Sequence, residues 1–237
     1  SKELNIGKVL SELLVLRGIN TFEEARFFFR PQLSGLIDPF LMKDMDKAVE
    51  RIELAKELGE KIMVYGDYDV DGTTAVSIVY SFLKNTHKKV DFYIPDRYLE
   101  GYGISYKGID FAVENEYKLL ISLDCGIKAV EKVEYAKKKG LDIIIGDHHR
   151  PGDVIPDAVA VLDPKQDDCN YPFKDLSGAG VGFKLIQALT MKSGASVEKI
   201  YCYLDLVAIS IAADVVAMTG ENRILSYYGL KNLNKNP

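Results

Sequence analysis

The chain has 237 residues, 47% hydrophobic and 27% charged, which gives room for a substantial core and excludes a disordered composition. No apolar run approaches the ~20 residues needed to span a bilayer, and the opening SKELNIGKVL lacks the apolar stretch of a signal peptide. The formal net charge of −5 counts against a polyanionic partner unless metals or segments outside this chain supply positive charge, and Cys125, Cys169 and Cys202, odd in number and without metal-type spacing, read as reduced thiols of a cytosolic protein.

Residues 1–55 read as helical. IGKVLSELLVLRGI and DMDKAVERIELAKEL carry apolar residues at helical spacing, and TFEEARFFF opens with a Thr N-cap followed by Glu in the first turn. From Lys61 short β-rich runs recur: KIMVY, KVDFYIP, KLLISL, LDIIIG and AVAVL, most of them separated by helical stretches such as TTAVSIVYSFLKN and KAVEKVEYAKKKG. That alternation predicts an α/β fold, a parallel sheet flanked by helices. Beyond Pro164 the chain turns mainly helical, over GVGFKLIQALTMKS, SVEKIYCYLDLVAISIAADVVA and NRILSYYGLKNL. The expected organisation is an N-terminal helical segment over 1–55 packed on a domain over 56–220, with 221–237 starting a connecting helix. A first residue of Ser and an end at KNLNKNP are expected of a trimmed piece of a longer protein.

Three strands run into chemically loaded residues. KIMVY leads to Asp67, Asp69 and Asp71, KLLISL to Asp124, and LDIIIG to Asp147, His148 and His149. Ligands of open α/β sheets bind beyond the carboxyl ends of the strands, so a parallel sheet brings these endings to one edge. Carboxylates crowded together repel by about 4 kcal/mol per pair at ~4 Å and an effective dielectric of ~20. Oxygen and imidazole donors converging there suit Mn²⁺, Mg²⁺ or Zn²⁺, and a metal pair that neutralises such charge is the usual device for phosphate-ester hydrolysis.

Blander readings compete. Asp67-x-Asp69-x-Asp71-Gly72 also opens a calcium loop, but the twelfth position is Ile78 rather than Glu and the motif follows a strand. A capped turn in which Gly72 supplies unusual dihedrals and Thr73 starts the helix explains one Asp well and three poorly. Asp124 alone reads equally as a loop residue. His87, flanked by lysines, fits a solvated loop, whereas His148 and His149 directly after an apolar strand do not. Asp214 lies inside an apolar helical run, where a carboxylate is costly unless paired or metal-bound; Asp205 opens that run and reads as an N-cap or a supporting group.

DYDVDG, an Asp before Cys-Gly, DHH and AADVV, in that order, resemble the DHH phosphoesterase superfamily. Within it the likeness is to RecJ-type single-strand-specific exonucleases, including RGINTFEEA, IPDRYLEGYGIS and LDPKQDDCNYPFKDLSGAGVGFKL. The resemblance implies two divalent ions, Mn²⁺ or Mg²⁺. Asp69 would ligate one and Asp71 the other, with Asp124 bridging, and His148 and Asp214 on the second. It implies that His149 contacts the scissile phosphate, while Asp67 and Asp147 orient the ligands through hydrogen bonds. Arg97, Ser177, Gly178 and Gly180 are candidate phosphate contacts, against readings as a surface ion pair and a plain helix N-terminus. Because successive residues leaving a strand point apart, His148 and His149 are expected not to reach the same ion.

The implied activity is 5′→3′ hydrolysis of single-stranded DNA in repair and recombination, in the cytoplasm. The implied partners are single-stranded DNA, a single-stranded-DNA-binding protein and a helicase. RecJ-type enzymes continue into a DHH-associated domain and usually an OB domain, and this chain stops before either. Two alternatives remain at this level: a relative acting on short or cyclic nucleotides, and a non-catalytic DHH scaffold subunit. Intact Asp69, Asp71, Asp124, His148 and Asp214 weigh against the second.

Overall fold

A computed structural model describes residues 4–235. Two compact units divide between Leu36 and Ile37. The first holds α1 (Lys8–Leu16) and α2 (Phe22–Phe29). The expected Thr21 cap is a complete capping box: Glu24 N–H donates to Thr21 Oγ1 at 3.2 Å, and Thr21 N–H donates to Glu24 Oε2 at 2.9 Å.

The second unit contains α3 (Met45–Glu57), β1 (Lys61–Gly66), α4 (Val70–Thr86), β2 (Val90–Tyr93), α5 (Tyr106–Glu114), β3 (Tyr117–Leu123), α6 (Val130–Lys138), β4 (Asp142–Gly146), β5 (Ala160–Leu162), α7 (Gly178–Lys192), α8 (Leu204–Ala213) and α9 (Gly220–Lys235). All five expected strands form one parallel sheet in the order β2-β1-β3-β4-β5. The chain reverses its direction of travel between β1 and β3, and the crevice at such a switch point is where open sheets bind ligands.

Strand residues alternate between faces. Met63, Tyr65, Leu120, Ile143, Ile145 and Val161 join Ile109 and Ala112 of α5 and Val133 and Ala136 of α6 in one buried cluster. The intervening Ile62, Val64, Leu119, Ile121 and Ile144 are equally buried and face the side on which α3, α4 and α7 pack. Helix α3 therefore belongs with the sheet, and the break between units comes at 36/37 rather than at the expected 55/56. Helix α9 belongs to the same unit: its Gly229 lies so close to α8 that an added Cβ would stand 2.1 Å from Leu204 O.

A fully buried ion pair ties this half together. Lys184 Nζ of α7 lies 2.7 Å from Glu221 Oε1 of α9, and it donates to Ile37 O at 2.7 Å and Gln187 Oε1 at 2.8 Å. Glu221 accepts in return from Ile37 N–H and from the Tyr171 hydroxyl. Because every charged atom is partnered, deleting one member strands the other. We expect Glu221→Leu to lose about 3–5 kcal/mol of unfolding free energy, and Lys184→Met/Glu221→Leu to recover much of it. Urea denaturation of the single and double variants checks this; equal losses in both would show that packing, and not charge pairing, dominates.

Candidate metal centre

Register builds the site. Gly66 of β1 pairs with Leu123 of β3, Leu123 with Gly146 of β4, and Gly146 with Leu162 of β5. The next residue after each is an aspartate: Asp67, Asp124, Asp147 and Asp163. The ladder continues one step into this row, since Asp124 N–H donates to Gly146 O at 2.8 Å and Asp147 N–H to Leu162 O at 2.9 Å. All four carboxylates are buried.

The loop after β1 passes straight into α4. Asp69 is its N-cap, with Oδ1 accepting from Gly72 N–H at 2.9 Å, and it is exposed. Helix α4 thus begins at Val70 and not at Thr73. Gly72 adopts no left-handed conformation; it is required for space, because a Cβ there would stand 2.4 Å from Asp67 O. Asp71, in the first turn, is buried against the start of α7. Its Oδ2 accepts from Gly178 N–H and its Oδ1 from Ala179 N–H, both at 2.7 Å, and Oδ1 also takes the Ser210 hydroxyl at 2.8 Å.

The anion at this helix N-terminus is therefore Asp71 itself. That corrects the expectation for the glycine-rich segment. Gly178 N–H is committed to Asp71, Gly180 N–H to the Ser177 hydroxyl at 3.1 Å, and Ser177 Oγ to Ser210 Oγ at 2.6 Å. Ser177, Gly178 and Gly180 are all buried, so none is presented to an incoming phosphate. Arg97 is exposed, its guanidinium 5.3 Å from the centre of the Tyr68 ring.

Three further residues converge on Asp71. His148 Nε2 lies 3.1 Å from Asp124 Oδ1, 3.7 Å from Asp71 Oδ2 and 3.7 Å from Asp214 Oδ2. The 3.1 Å approach lacks hydrogen-bond geometry. Asp124 Oδ1 and both ring nitrogens of His148 are buried without a hydrogen-bond partner among the described residues. Asp214 comes from α8, but the apolar run does not continue as helix past it: Asp214 is the C-cap of α8, and Val215 follows in the left-handed region at φ 56°. Asp205 lies in the first turn of the same helix and accepts from Leu206 N–H at 2.7 Å.

These residues fit divalent cations. Ligand atoms of Asp71, His148 and Asp214 lie within 4.8 Å of one another, as do those of Asp124, His148 and His149. Hard oxygens with one or two imidazoles suit Mn²⁺ or Mg²⁺, and buried polar atoms left unpaired are costly without such a partner. Asp69 stands outside both groups because capping α4 holds its carboxylate at the surface.

Residues 61–211 match the DHH family, N-terminal domain. The chain belongs to the DHH family. The single-stranded-DNA-specific exonuclease RecJ of Bacillus subtilis (strain 168) is 44% identical over 235 residues, 99% of this chain and 29% of the relative. The crystal structure of exonuclease RecJ bound to manganese superposes with a TM-score of 0.75 at 32% identity, over 84% of this chain and 49% of the other. RecJ in complex with Mn²⁺ from Thermus thermophilus gives 0.77 at 28% identity, over 94% and 31%. The chain spans well under two thirds of the length of these proteins.

The three residues of the DHH motif have distinct surroundings. Asp147 is saturated: Oδ2 accepts from Ile127 N–H at 2.9 Å, and Oδ1 from His148 N–H at 2.7 Å, His149 N–H at 3.1 Å and the His149 ring Nδ1 at 2.7 Å. Burial opposes its charge, yet the bonds from the His149 ring and Ile127 hold the carboxyl below its ordinary range. The two histidine rings do not point apart as expected. Their centres are 4.5 Å apart, because the chain has left the β conformation and Asp147 draws the His149 ring back beside His148.

Two residues near the centre escape a reading of the sequence. Asp163 follows β5 as Asp67, Asp124 and Asp147 follow their strands, and that repeated strand-then-Asp pattern is the available signal. Its Oδ2 is buried without a partner among the described residues, and burial above all pushes its pKa up to about 7. Tyr102, between Gly101 and Gly103, places its hydroxyl 3.4 Å from His149 Nε2.

In the metal-free protein, burial first and then the charges of Asp71, Asp69 and Asp147 push the Asp124 carboxyl from 3.8 up to about 10. A folded-state value above the unfolded one means that protonation favours the fold. The contribution is complete below pH ~4 and is lost as pH rises toward ~10. We therefore expect Asp124→Asn to melt higher than the parent in EDTA at pH 8, with the difference vanishing at pH 4. Saturating Mn²⁺ should raise the parent's melting temperature by roughly 5–11 °C at 100 Kd and raise the variant's far less. Melts in EDTA and Mn²⁺ across pH check both; a parent insensitive to metal would sink the centre.

A second expectation concerns Gly178. A Cβ there would stand 2.6 Å from Asp124 Cβ and 2.7 Å from its Oδ1, so Gly178→Ala must displace that carboxylate. The variant is expected to fold and to bind Mn²⁺ at least about tenfold more weakly, by calorimetric titration. Unchanged affinity would mean that Asp124 is not a ligand.

Proposed function

We propose that this chain is the catalytic part of a metal-dependent exonuclease that hydrolyses phosphodiester bonds of single-stranded DNA in the 5′→3′ direction. Asp71, Asp124, Asp214 and His148 hold two divalent ions, Mn²⁺ or Mg²⁺, with Asp69 at the mouth. The observation that carries this is the convergence of Asp71, Asp124 and Asp214 on His148 Nε2 with Asp124 Oδ1 and the imidazole unpartnered. When bound, the ions supply an activated water and stabilise the leaving oxygen. The RecJ relatives and their manganese complex support the substrate and the metal.

The chain's own groups divide the remaining work. Asp147 Oδ1 accepts a hydrogen bond from His149 Nδ1–H, which raises the His149 pKa against the opposing effect of burial. The imidazolium so favoured keeps a proton on Nε2 for a phosphate oxygen of the substrate. Asp67 is a buried carboxylate at the end of β1 whose Oδ1 has no hydrogen-bond partner among the described residues, and it supports the ligands from behind. Arg97, exposed over Tyr68, contacts the DNA backbone.

A role in DNA repair and recombination, beside a single-stranded-DNA-binding protein and a helicase, follows from the same reading. A cytoplasmic setting accords with three unpaired cysteines; no helix among the described residues is long and apolar enough to cross a membrane.

The test separates the two histidines. His148→Ala should bind Mn²⁺ weakly and regain turnover in excess metal. His149→Ala should keep its metal and lose about 10²–10³-fold in rate without rescue. Single-turnover cleavage of 5′- and 3′-labelled single-stranded DNA, with metal content measured alongside, reads rate, polarity and rescue together. Loss of metal from His149→Ala would overturn the division, and no cleavage by the parent chain in Mn²⁺ would count against the exonuclease.

A further inference from the structure

A cleft of about 230 Å³ adjoins His149 and Asp147. His149, Asp147 and Tyr102 line it. Ile104 and Ile127 give it an apolar floor, and Lys128 and Lys132 stand at its rim. The cleft is fastened to the candidate centre, because the Ile127 N–H donates to Asp147 Oδ2, the same carboxylate that holds the His149 ring.

The two lysines are the informative residues. Many lysines of this unit lie against a carboxylate, as Lys137 and Lys138 do on α6 itself. Neither Lys128 nor Lys132 forms an ion pair or hydrogen bond with any described residue, so two positive charges are left open beside a strongly acidic centre. A dianionic group approaching that centre would be repelled by its carboxylates, and cations placed here offset part of that repulsion.

The geometry points to this cleft as a nucleotide subsite: Tyr102, Ile104 and Ile127 receive one base and sugar, and Lys128 and Lys132 receive that nucleotide's phosphate. It rests on the phosphodiesterase reading above and extends it to residues outside the metal centre. The volume falls below the ~300–1,000 Å³ of most ligand pockets, so it takes one nucleoside unit and not a stretch of strand. An aromatic wall is indifferent to base identity, and lysines act on phosphate as point charges. The subsite therefore positions any nucleotide next to His149 without selecting sequence.

The experiment compares the parent chain with Lys128→Gln, Lys132→Gln, the double variant, and Lys199→Gln as a remote charge control. Calorimetry in saturating Mg²⁺ titrates thymidine 5′-monophosphate, thymidine and orthophosphate. The parent should bind the nucleotide more tightly than either part. The double variant should bind the nucleotide at least about tenfold more weakly while its affinity for thymidine is unchanged, and Lys199→Gln should match the parent. With oligothymidylate in Mn²⁺, KM should rise with kcat little altered, and the slope of log KM against log salt should fall by about 0.7 for the one lost single-strand phosphate contact.

No nucleotide binding by the parent, or equal binding by parent and double variant, overturns the subsite. Tyr102→Ala with unchanged thymidine binding overturns its aromatic wall. A separate titration of the metal-free parent with Mg²⁺ alone measures metal binding, and its absence would overturn the metal centre independently of the subsite.

Discussion

Four parallel strands that stop in register place four buried aspartates side by side, and most of what surrounds the sheet edge is a response to that charge. Carboxylates a few ångströms apart cost several kcal/mol per pair at intermediate dielectric, and burial adds to this. The fold answers unevenly. Asp71 receives two N–H groups from the start of α7 and a hydroxyl from α8. Asp147 receives three backbone or ring donors on one oxygen and one on the other. Asp67, Asp124 and Asp163 each keep one oxygen with nothing among the described residues to accept from. Saturated carboxylates are thereby fixed in place and can orient others, whereas Asp124 is held rigidly by its backbone with an oxygen aimed at His148. That contrast is what a site waiting for cations looks like in hydrogen-bond terms.

The sheet is legible in the sequence because its signals are local: runs such as KLLISL and LDIIIG, with helices between them, admit few arrangements other than a parallel layer. The convergence of Asp71, Asp124 and the DHH motif follows from the same logic, since parallel strands all end at one edge. Asp163 obeys it too and is easily passed over, because a single Asp before Pro reads as a turn until the register row is seen. Three features have no local signature. Whether the N–H groups of SGAGVG face solvent or a buried carboxylate depends on α4, more than a hundred residues earlier. The expected divergence of His148 from His149 assumes strand geometry where the chain has already bent. The end of α8 at Asp214 is hidden by its composition, since a β-branched Val is among the residues least expected at positive φ.

That last position and Asp124 share a property. Asp124 sits at φ 58° and Val215 at φ 56°, and such conformations cost on the order of 1–3 kcal/mol each. One strained residue carries a candidate ligand, and the other turns the chain directly after a second one. Left-handed φ at Asp is the milder case, since its short polar side chain tolerates the region. At Val215 the turn breaks an otherwise apolar helix where Asp214 leaves it, keeping that carboxylate at the rim of the site and out of the packed interior of α8.

Strain, unpaired oxygens and clustered charge all act against stability at one edge of the sheet, so something else must hold the loops there. The candidates are visible. Ser177 links to Ser210 and Ser210 to Asp71, which ties α7, α8 and α4 at one point. Gly72 and Gly178 let backbone approach within distances no side chain permits. The buried Lys184–Glu221 pair clamps α7 to α9 behind the site. Each restrains an element that carries or contacts a candidate ligand, and none uses Asp124 Oδ1, the oxygen nearest His148 Nε2. Rigidity is thus provided from behind while the front of the site stays electrostatically unsatisfied. Cation binding then requires little rearrangement of the protein, and the free energy of removing repulsion goes into affinity and not into reorganisation.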